Sequence, residues 1–247
     1  FYSGKEFTYS RNRAIIAMIR AWDHEDVFED QNKSLWNMIL AFCAALENWN
    51  PATDYIKPSM QNGKPTVEFN FVLPIPGTKH PVTGLPILYT GRFDMLAEYN
   101  GQLMIEDDKT TSSLGAQWIN SWEMNSQVTA YIWGAQSFGL PVVGAVIRGT
   151  SILKSKFGFA ESLQYRSKWE IERWLEQVRH DLVRMQECWE TGYWDFDLGD
   201  ACNAYSGCSY KKLCNKKDPS NWIEPDFKVE FWRPLEVTGA KIEDDDD

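Results

Sequence analysis

The sequence has little of what would place it in a membrane, in a disulfide-bonded secreted fold or on a basic surface. No apolar run is long enough to span a bilayer, and Phe1 to Gly4 do not resemble a signal peptide. Five cysteines, an odd number, fit an intracellular, cytoplasmic protein better than a disulfide scaffold. Positive charge is also scarce, since 25 Lys and Arg accompany 35 Asp and Glu and the net charge is −10. This balance disfavours a protein that binds nucleic acid passively through a basic surface.

The chain has enough apolar residues to fold around a core. At 247 residues and 43% hydrophobic content it fits one large compact domain. Periodicity predicts the order helices, three strands, helix, two strands, helix. The predicted ranges are helices near 15–22 and 28–49, strands 66–73, 87–99 and 103–108, a helix 117–137, strands 142–153 and 158–165, and a helix 168–189. We expect residues 1–192 to form the core and residues 193–247 a cysteine-bearing cap with an acidic tail, within the same compact domain.

Acidic residues and one lysine converge on two neighbouring strands. The turn Asn100-Gly101 predicts a hairpin, and counting outward from it brings Asp94 level with Asp107. Because side chains alternate along a strand, Lys109 points to the same side as Asp107, whereas Glu106 and Asp108 point to the other. Two carboxylates and an ammonium can therefore meet at one end of a small sheet.

This set of groups suits phosphodiester hydrolysis. Carboxylate oxygens hold Mg²⁺ or Mn²⁺, which lower the pKa of bound water and stabilise the leaving oxygen. A lysine beside them can orient the water or offset charge in the transition state. The alternative is a solvent-facing acidic turn in which Lys109 is a surface counter-charge.

Three short motifs in a fixed order resemble a known family. They are Gly91-Arg92-Phe93-Asp94, then Asp107-Asp108-Lys109-Thr110, then Gln127-Val128-Thr129-Ala130-Tyr131. Their order and spacing resemble those of RecB-like nucleases in the PD-(D/E)XK superfamily, and in particular the phage-encoded exonuclease branch. The resemblance implies an α/β (α+β) fold with a restriction-endonuclease-like core, in which helices flank a central mixed sheet of about five strands.

The resemblance also implies a role for each motif residue. Asp94, Asp107 and the main-chain carbonyl of Asp108 would bind the metal, and Lys109 would be the catalytic lysine. Gln127 and Tyr131, four residues apart on one helical face, would contact the DNA backbone or position the lysine. Ordinary helix packing is the alternative for this pair.

The family uses one further upstream ligand, and Glu68 is the candidate here. It is a single carboxylate within Val67-Glu68-Phe69-Asn70-Phe71, a segment of β-forming residues. As a ligand it would join the catalytic set. A cross-strand ion pair is the alternative for this residue.

The C-terminal cysteines form a second pattern. Cys202, Cys208 and Cys214 are spaced as Cys-x5-Cys-x5-Cys, and the resemblance implies a 4Fe-4S cluster bound by these three and one upstream cysteine. The fourth ligand is not evident from the sequence; Cys43 is the candidate, and Cys188 also lies upstream on a helix. The spacing differs from the family's, which is tighter between its first two cysteines. Zinc bound with His180, or free thiols in a packed cap, are the alternatives, and Cys43 also fits a core position on its helix.

The leading hypothesis is therefore a Mg²⁺- or Mn²⁺-dependent DNA exonuclease in recombination, repair or phage DNA processing. It would act on DNA ends or single strands, with a helicase or recombinase as a possible partner. One alternative is a non-catalytic DNA-binding or assembly module that retains the nuclease fold. A nuclease of CRISPR adaptation would share the same motifs.

Overall fold

The structure, a computed structural model, describes residues 6–22, 32–194, 196, 200–203 and 207–228. Its helices and strands follow the predicted order. They are α1 (Phe7–Ala21), α2 (Leu35–Asn48), β1 (Lys57–Pro58), β2 (Met60–Gln61), β3 (Lys64–Pro65), β4 (Val67–Pro74), β5 (Leu88–Tyr99), β6 (Gln102–Thr111), α3 (Ala116–Asn120), α4 (Ser126–Ser137), β7 (Val142–Ile152), β8 (Phe157–Tyr165), α5 (Lys168–Thr191), α6 (Lys211–Cys214) and α7 (Ser220–Asp226). Residues 28–31 of the second predicted helix and the acidic tail lie outside the described residues, and the helix itself begins at Leu35.

Contacts divide the chain into two compact units. The first combines Phe1–Pro74 with Leu88–Leu175, and the second combines Ile75–Ile87 with Glu176–Asp247. These limits differ from the predicted 1–192 and 193–247, and a cap formed by residues 193–247 stays a prediction. The whole sheet lies in the first unit.

The first unit is built on a six-stranded mixed sheet. Strand β5 pairs antiparallel with β6 on one side and with β4 and β1 on the other. Strand β6 pairs parallel with β7, and β7 pairs antiparallel with β8. The single parallel pair is possible because α3 and α4 connect β6 to β7 as a crossover. This arrangement confirms the predicted fold class of a mixed sheet flanked by helices.

Both faces of the sheet are apolar, which is why helices cover it. The larger buried cluster joins Phe93, Leu96 and Ile105 of the sheet to Val128 and Ile132 of α4. On the other face a smaller cluster is formed by Ile56, Met95, Ala97, Met104 and Val146. Helices α4 and α2 both contact β7, and α2 also contacts β8.

One predicted helix is wrong in detail. The range 117–137 contains two helices, α3 and α4, instead of one. Asn125 accepts hydrogen bonds from the main-chain N–H groups of Gln127 and Val128, so it caps the start of α4. A capping asparagine satisfies donors that a continuous helix would satisfy itself, and it therefore begins a new helix.

The second unit is held by hydrogen bonds between the 75–87 loop and the second half of α5. Arg179 Nε donates to the Pro76 carbonyl at 2.7 Å, and Gln186 Nε2 donates to the Lys79 carbonyl at 2.6 Å. Near the C-terminus, Lys212 pairs with Asp226 at 3.1 Å. Within the described part of the chain, no helix combines the length and apolar character needed to cross a membrane.

Candidate active site

The hairpin of β5 and β6 sets the register of the acidic residues. Asn100 and Gly101 both have positive φ, +49° and +75°, as a two-residue hairpin turn requires. The ladder runs from Tyr99↔Gln102 to Met95↔Glu106. The ladder ends one step before Asp94 and Asp107, so their alignment stays a prediction. Asp94 Oδ2 accepts a hydrogen bond from the Asp108 main-chain N–H at 2.8 Å.

The strands do not alternate regularly at Asp94. Phe93 lies in the cluster beneath α4, whereas Met95 lies in the cluster on the other face of the sheet. In a regular strand, two residues separated by one position would lie on the same face. The neighbouring strand is irregular at the same level, since Glu68 has a φ of +50° between the pairs Val67↔Met95 and Phe69↔Phe93. This irregularity turns Asp94 toward a cleft that regular alternation would not give it.

Asp107 and Lys109 lie together on one side of β6, as alternation predicts. The Lys109 ammonium contacts the Asp107 carboxylate. The side chain of Asp107 is only 3% exposed and that of Lys109 is 28% exposed, so the lysine is the member of the pair that reaches solvent. Burial raises the pKa of Asp107, and the hydrogen bond with Lys109 offsets part of that rise.

Helix α4 adds the third motif to this group. Gln127 Nε2 donates to the Tyr131 hydroxyl at 2.9 Å, and the Tyr131 ring lies 6.0 Å from that of Phe93. Burial, followed by the negative charge of Asp107, raises the pKa of Tyr131 to about 12. The Tyr131 hydroxyl therefore stays protonated beside the carboxylates at neutral pH.

Glu68 is placed differently from the other predicted site residues. Its Oε2 forms an ion pair with Arg92 Nε at 3.1 Å, and the side chain is 61% exposed. This is the cross-strand ion pair that the sequence leaves as the alternative. Glu68 also lines the cleft that contains Asp94, so a role as ligand stays a prediction.

The cleft contains acidic side chains that sequence reasoning set aside. It has a volume of about 500 Å³, and Glu68, Asp94, Glu106 and Asp108 all line it. Glu106 is 4% exposed, and burial raises its pKa well above the usual value, with the charge of Asp108 adding to the effect. Asp108 reaches solvent, yet burial and the charge of Asp94 raise its pKa to about 6. The alternation of side chains along β6 places Glu106 and Asp108 on the opposite side from Asp107. The irregular backbone at Asp94 brings the Asp94 carboxylate to the side of Glu106 and Asp108.

A buried arginine borders the same cleft. Arg148 is level with Asp108 on the neighbouring strand β7. Its guanidinium donates to both oxygens of Asp54 at 2.6 and 2.8 Å and to Glu161 at 2.9 Å, and it lies 5.0 Å from the centre of the Trp49 ring. Burial alone would lower the pKa of Arg148, but the hydrogen bonds to Asp54 raise it. No local pattern marks this group in the sequence, because Asp54 and Arg148 are 94 residues apart.

The carboxylates of the motif residues fit a divalent cation by their chemistry. Asp107 Oδ2 is buried, and the Lys109 ammonium contacts it. Asp94 uses one oxygen on the Asp108 main chain. These are hard oxygen donors in partly desolvated positions, which Mg²⁺ and Mn²⁺ prefer. Among the described residues, however, no three His, Cys, Asp or Glu side chains are arranged to hold a metal ion. A site here would therefore rely on two carboxylates, a main-chain carbonyl and water.

The four cysteines predicted as cluster ligands are free thiols. Cys208 and Cys214 are exposed, and the Cys208 N–H donates to the Cys202 carbonyl at 3.1 Å. Cys43 is partly buried on α2. In the described part of the chain no group of three metal-holding side chains is found, and the 4Fe-4S cluster stays a prediction.

Comparison with known proteins identifies the class to which this fold and site belong. The sequence model of the PD-(D/E)XK nuclease superfamily matches residues 10–215, and the chain belongs to that superfamily. Its description is that of a nuclease.

Among solved structures, a candidate exonuclease from Eubacterium rectale is similar, with 12% identity and a TM-score of 0.44, covering 95% of this chain and 76% of that one. The protein SSO0001 has 12% identity and a TM-score of 0.30, covering 72% of this chain and 88% of its own. No curated protein matches. At this level of similarity the two structures do not support an assignment, so the family assignment rests on the match to the sequence model of the superfamily.

Proposed function

We propose that this protein is a divalent-metal-dependent DNA nuclease that hydrolyses phosphodiester bonds, and that it acts as an exonuclease. The observation that carries the proposal is the contact between Asp107 and Lys109 where the pairing of β5 with β6 ends, beside Tyr131 of α4 and close enough to Asp94 for its charge to raise the pKa of Asp107. Membership of the PD-(D/E)XK superfamily supports the nuclease class. Exonuclease action is proposed from the resemblance of the three motifs alone.

Asp94, Asp107 and the main-chain carbonyl of Asp108 would hold the metal. Bound Mg²⁺ or Mn²⁺ would supply Lewis-acid stabilisation of the phosphoryl oxygens and a more acidic water. The burial of Asp107 keeps competing water away from its Oδ2, which the Lys109 ammonium contacts. Glu68 would join them only by leaving its ion pair with Arg92, which is solvent-exposed and therefore weak.

Lys109 supplies the positive charge of the site. Its ammonium is held by the contact with Asp107, while the 28% exposure of the side chain lets the same ammonium reach a water or a phosphate oxygen. An ammonium fixed in a partly desolvated site stabilises developing negative charge more than the same group in bulk water. Tyr131, held by Gln127, presents a protonated hydroxyl that can donate a hydrogen bond to a phosphate oxygen.

The test is digestion of end-labelled linear DNA and of circular DNA with Mn²⁺ or Mg²⁺. We expect the wild type to degrade linear DNA from its ends and to spare circles. Lys109→Ala should reduce the rate by on the order of 10²- to 10³-fold, the usual effect of removing one electrostatic stabiliser of a transition state. Lys64→Ala, which removes an exposed lysine of β3, is the matched control and should cleave normally.

A non-catalytic DNA-binding or assembly module is the second candidate. The observation in its favour is that Glu68 pairs with Arg92, which leaves two side-chain carboxylates for a metal. Absence of cleavage by the folded wild type with both metals would support this candidate and reject the nuclease proposal. Cleavage of circles would reject exonuclease action while keeping the nuclease.

The biological setting and the cluster are separate proposals. Descent from the phage-encoded branch, a cytoplasmic location and a helicase or recombinase partner are proposed from the resemblance. The 4Fe-4S cluster is proposed from the resemblance and from the grouping of three cysteines near the C-terminus. The test is the visible absorbance and iron content of protein purified without oxygen. A colourless, iron-free preparation would exclude the cluster.

A further inference from the structure

The parallel strands β6 and β7 end at the same edge of the sheet, just beyond the motif lysine. Thr110 is level with Thr150, and Thr111 with Ser151. Lys33, which lies before α2, donates from its ammonium to the Thr110 hydroxyl at 3.2 Å. A second lysine is thereby held beside the residue that follows Lys109, although 77 positions separate it from Thr110.

The turn between β7 and β8 brings two more lysines to this edge. Leu153 N–H donates to the Lys156 carbonyl at 3.0 Å, which closes the turn that contains Lys154. The buried Asn37 of α2 donates to the Leu153 carbonyl at 3.1 Å and so ties the turn to the first turn of the helix that follows Lys33. All three lysine side chains are exposed, and none has a carboxylate partner within the described part of the chain.

An exposed aromatic ring lies on the same helix turn. Trp36, next to Asn37, has 69% of its surface exposed. Leu40, one helical turn further along, and Leu153 in the β7–β8 turn are each 40% exposed. Exposing a side chain as large as tryptophan forgoes the burial that aromatic residues normally provide. An exposed planar ring on the same edge as several lysines is the composition of a surface that binds single-stranded nucleic acid.

We propose that Lys33, Trp36, Lys154 and Lys156, here called the rim patch, bind single-stranded DNA next to the active site. The lysines contact successive phosphates and Trp36 stacks on a base. The inference rests on the proposed nuclease function and specifies which strand form the site receives. A duplex hides its base faces, so a stacking residue favours single strands. Because the protein carries a net charge of −10, a local group of unpaired cations also gives DNA a region of favourable approach.

The stacking contribution is tested by binding in EDTA, where a metal-dependent nuclease does not cleave. A fluorescein-labelled oligo-dT is titrated with protein and its anisotropy is measured. Trp36→Ala should weaken binding by roughly 5- to 150-fold, the range that base–aromatic stacking provides. Trp169→Ala is the matched control, because Trp169 of α5 is also 69% exposed and lies outside the rim patch. It should bind like the wild type.

The phosphate contacts are tested by the salt dependence of the same binding. Replacing Lys33, Lys154 and Lys156 with glutamine should lower the slope of log K against log salt by about 2, since each contact to a single strand contributes roughly 0.7. A control with the same change in net charge replaces three other exposed lysines, Lys64, Lys79 and Lys228. Its slope should match that of the wild type. Thermal melting confirms that each variant is folded.

Cleavage separates this inference from the nuclease proposal. With Mn²⁺ and single-stranded DNA, the rim-patch variants should raise KM and leave kcat within about two-fold, because uniform binding is lost and the transition-state contacts remain. If the wild type cleaves but the rim-patch variants match their controls in affinity, slope and KM, the rim patch is rejected and the nuclease stands. If Trp36→Ala weakens duplex binding as much as single-strand binding, the assignment to single strands is wrong. A wild type that binds through the rim patch without cleaving supports the surface and rejects the nuclease.

Discussion

Replacing Asp54 by alanine removes one partner of the buried arginine beside the cleft. Arg148 is 4% exposed and Asp54 7% exposed, and two hydrogen bonds of 2.6 and 2.8 Å join them. The Asp54→Ala variant leaves the guanidinium with Glu161 and the face of Trp49 as its remaining partners. A buried charge that loses a bidentate partner cannot recover the hydration that it gave up on folding.

The expected effect is large for one substitution. Breaking a buried ion pair from one side costs about 3–5 kcal/mol of unfolding free energy. For a chain of this size, roughly 2–4 °C of melting temperature correspond to 1 kcal/mol, so a fall of roughly 6–20 °C is expected. The double variant Asp54→Leu/Arg148→Met should lose less unfolding free energy than Asp54→Ala. Replacing both residues leaves no guanidinium buried without its carboxylate partner.

Thermal and urea denaturation followed by circular dichroism measure this effect. Lys168→Ala is the control, because Lys168 and Glu172 form an exposed pair at 3.7 Å on α5. A surface pair of this kind contributes about 0.5 kcal/mol or less. If Asp54→Ala changes stability no more than Lys168→Ala, the buried network does not hold the fold around the cleft and the reasoning fails.

The stability that the Asp54–Arg148 pair contributes depends on pH. Burial opposes ionisation of Asp54, but the hydrogen bonds from Arg148 outweigh it, and the net pKa of Asp54 is lowered from its usual 3.8. A carboxyl whose folded pKa is depressed contributes stability that is fully present above its unfolded pKa. The contribution is lost as the pH falls through the folded pKa. The difference between wild type and Asp54→Ala should therefore be constant above about pH 5 and shrink below about pH 4.

Two further substitutions separate structural from functional roles near the motifs. Glu68→Gln breaks an exposed ion pair with Arg92, so we expect a stability loss of about 0.2–1 kcal/mol in urea denaturation. If Glu68 is a metal ligand, Mn²⁺-dependent cleavage should fall at least about 10²-fold, whereas cleavage at the wild-type rate would exclude that role. Gly91→Ala should cost about 1–3 kcal/mol, because its new Cβ would overlap the ring of the buried Phe71. Gly115→Ala, where no atom lies within 4 Å of the added Cβ, is its control, and equal losses in the two variants would contradict the overlap.

Local sequence rules determined the centre of the candidate site. The turn Asn100-Gly101 predicts the hairpin register because both residues accept positive φ. The period of two along a strand predicts that Asp107 and Lys109 share a side, and the structure shows them in contact. The four-residue spacing of Gln127 and Tyr131 predicts that they are neighbours, which their hydrogen bond confirms. Each of these relations spans few residues and depends only on backbone geometry.

The break in a predicted helix was not readable from periodicity. Apolar residues continue at helical spacing across 117–137, but Asn125 ends that continuity by capping α4. The Asn125 side chain competes with main-chain carbonyls for the same N–H groups. The packing of α4 against β7 favours the capped start of α4 over a continuous helix.

Only the tertiary structure decided which side of the sheet receives each carboxylate. The positive φ of Glu68 and the change of face between Phe93 and Met95 turn Asp94 toward Glu106 and Asp108. No sequence period describes an irregularity that two paired strands share. The joining of Arg148 to Asp54 and of Lys33 to Thr110 spans 94 and 77 residues, so these contacts exist only once the sheet has brought the strand ends together. Short-range backbone geometry thus determined that Asp107 lies beside Lys109 and Gln127 beside Tyr131. Long-range packing determined which residues line the cleft around them.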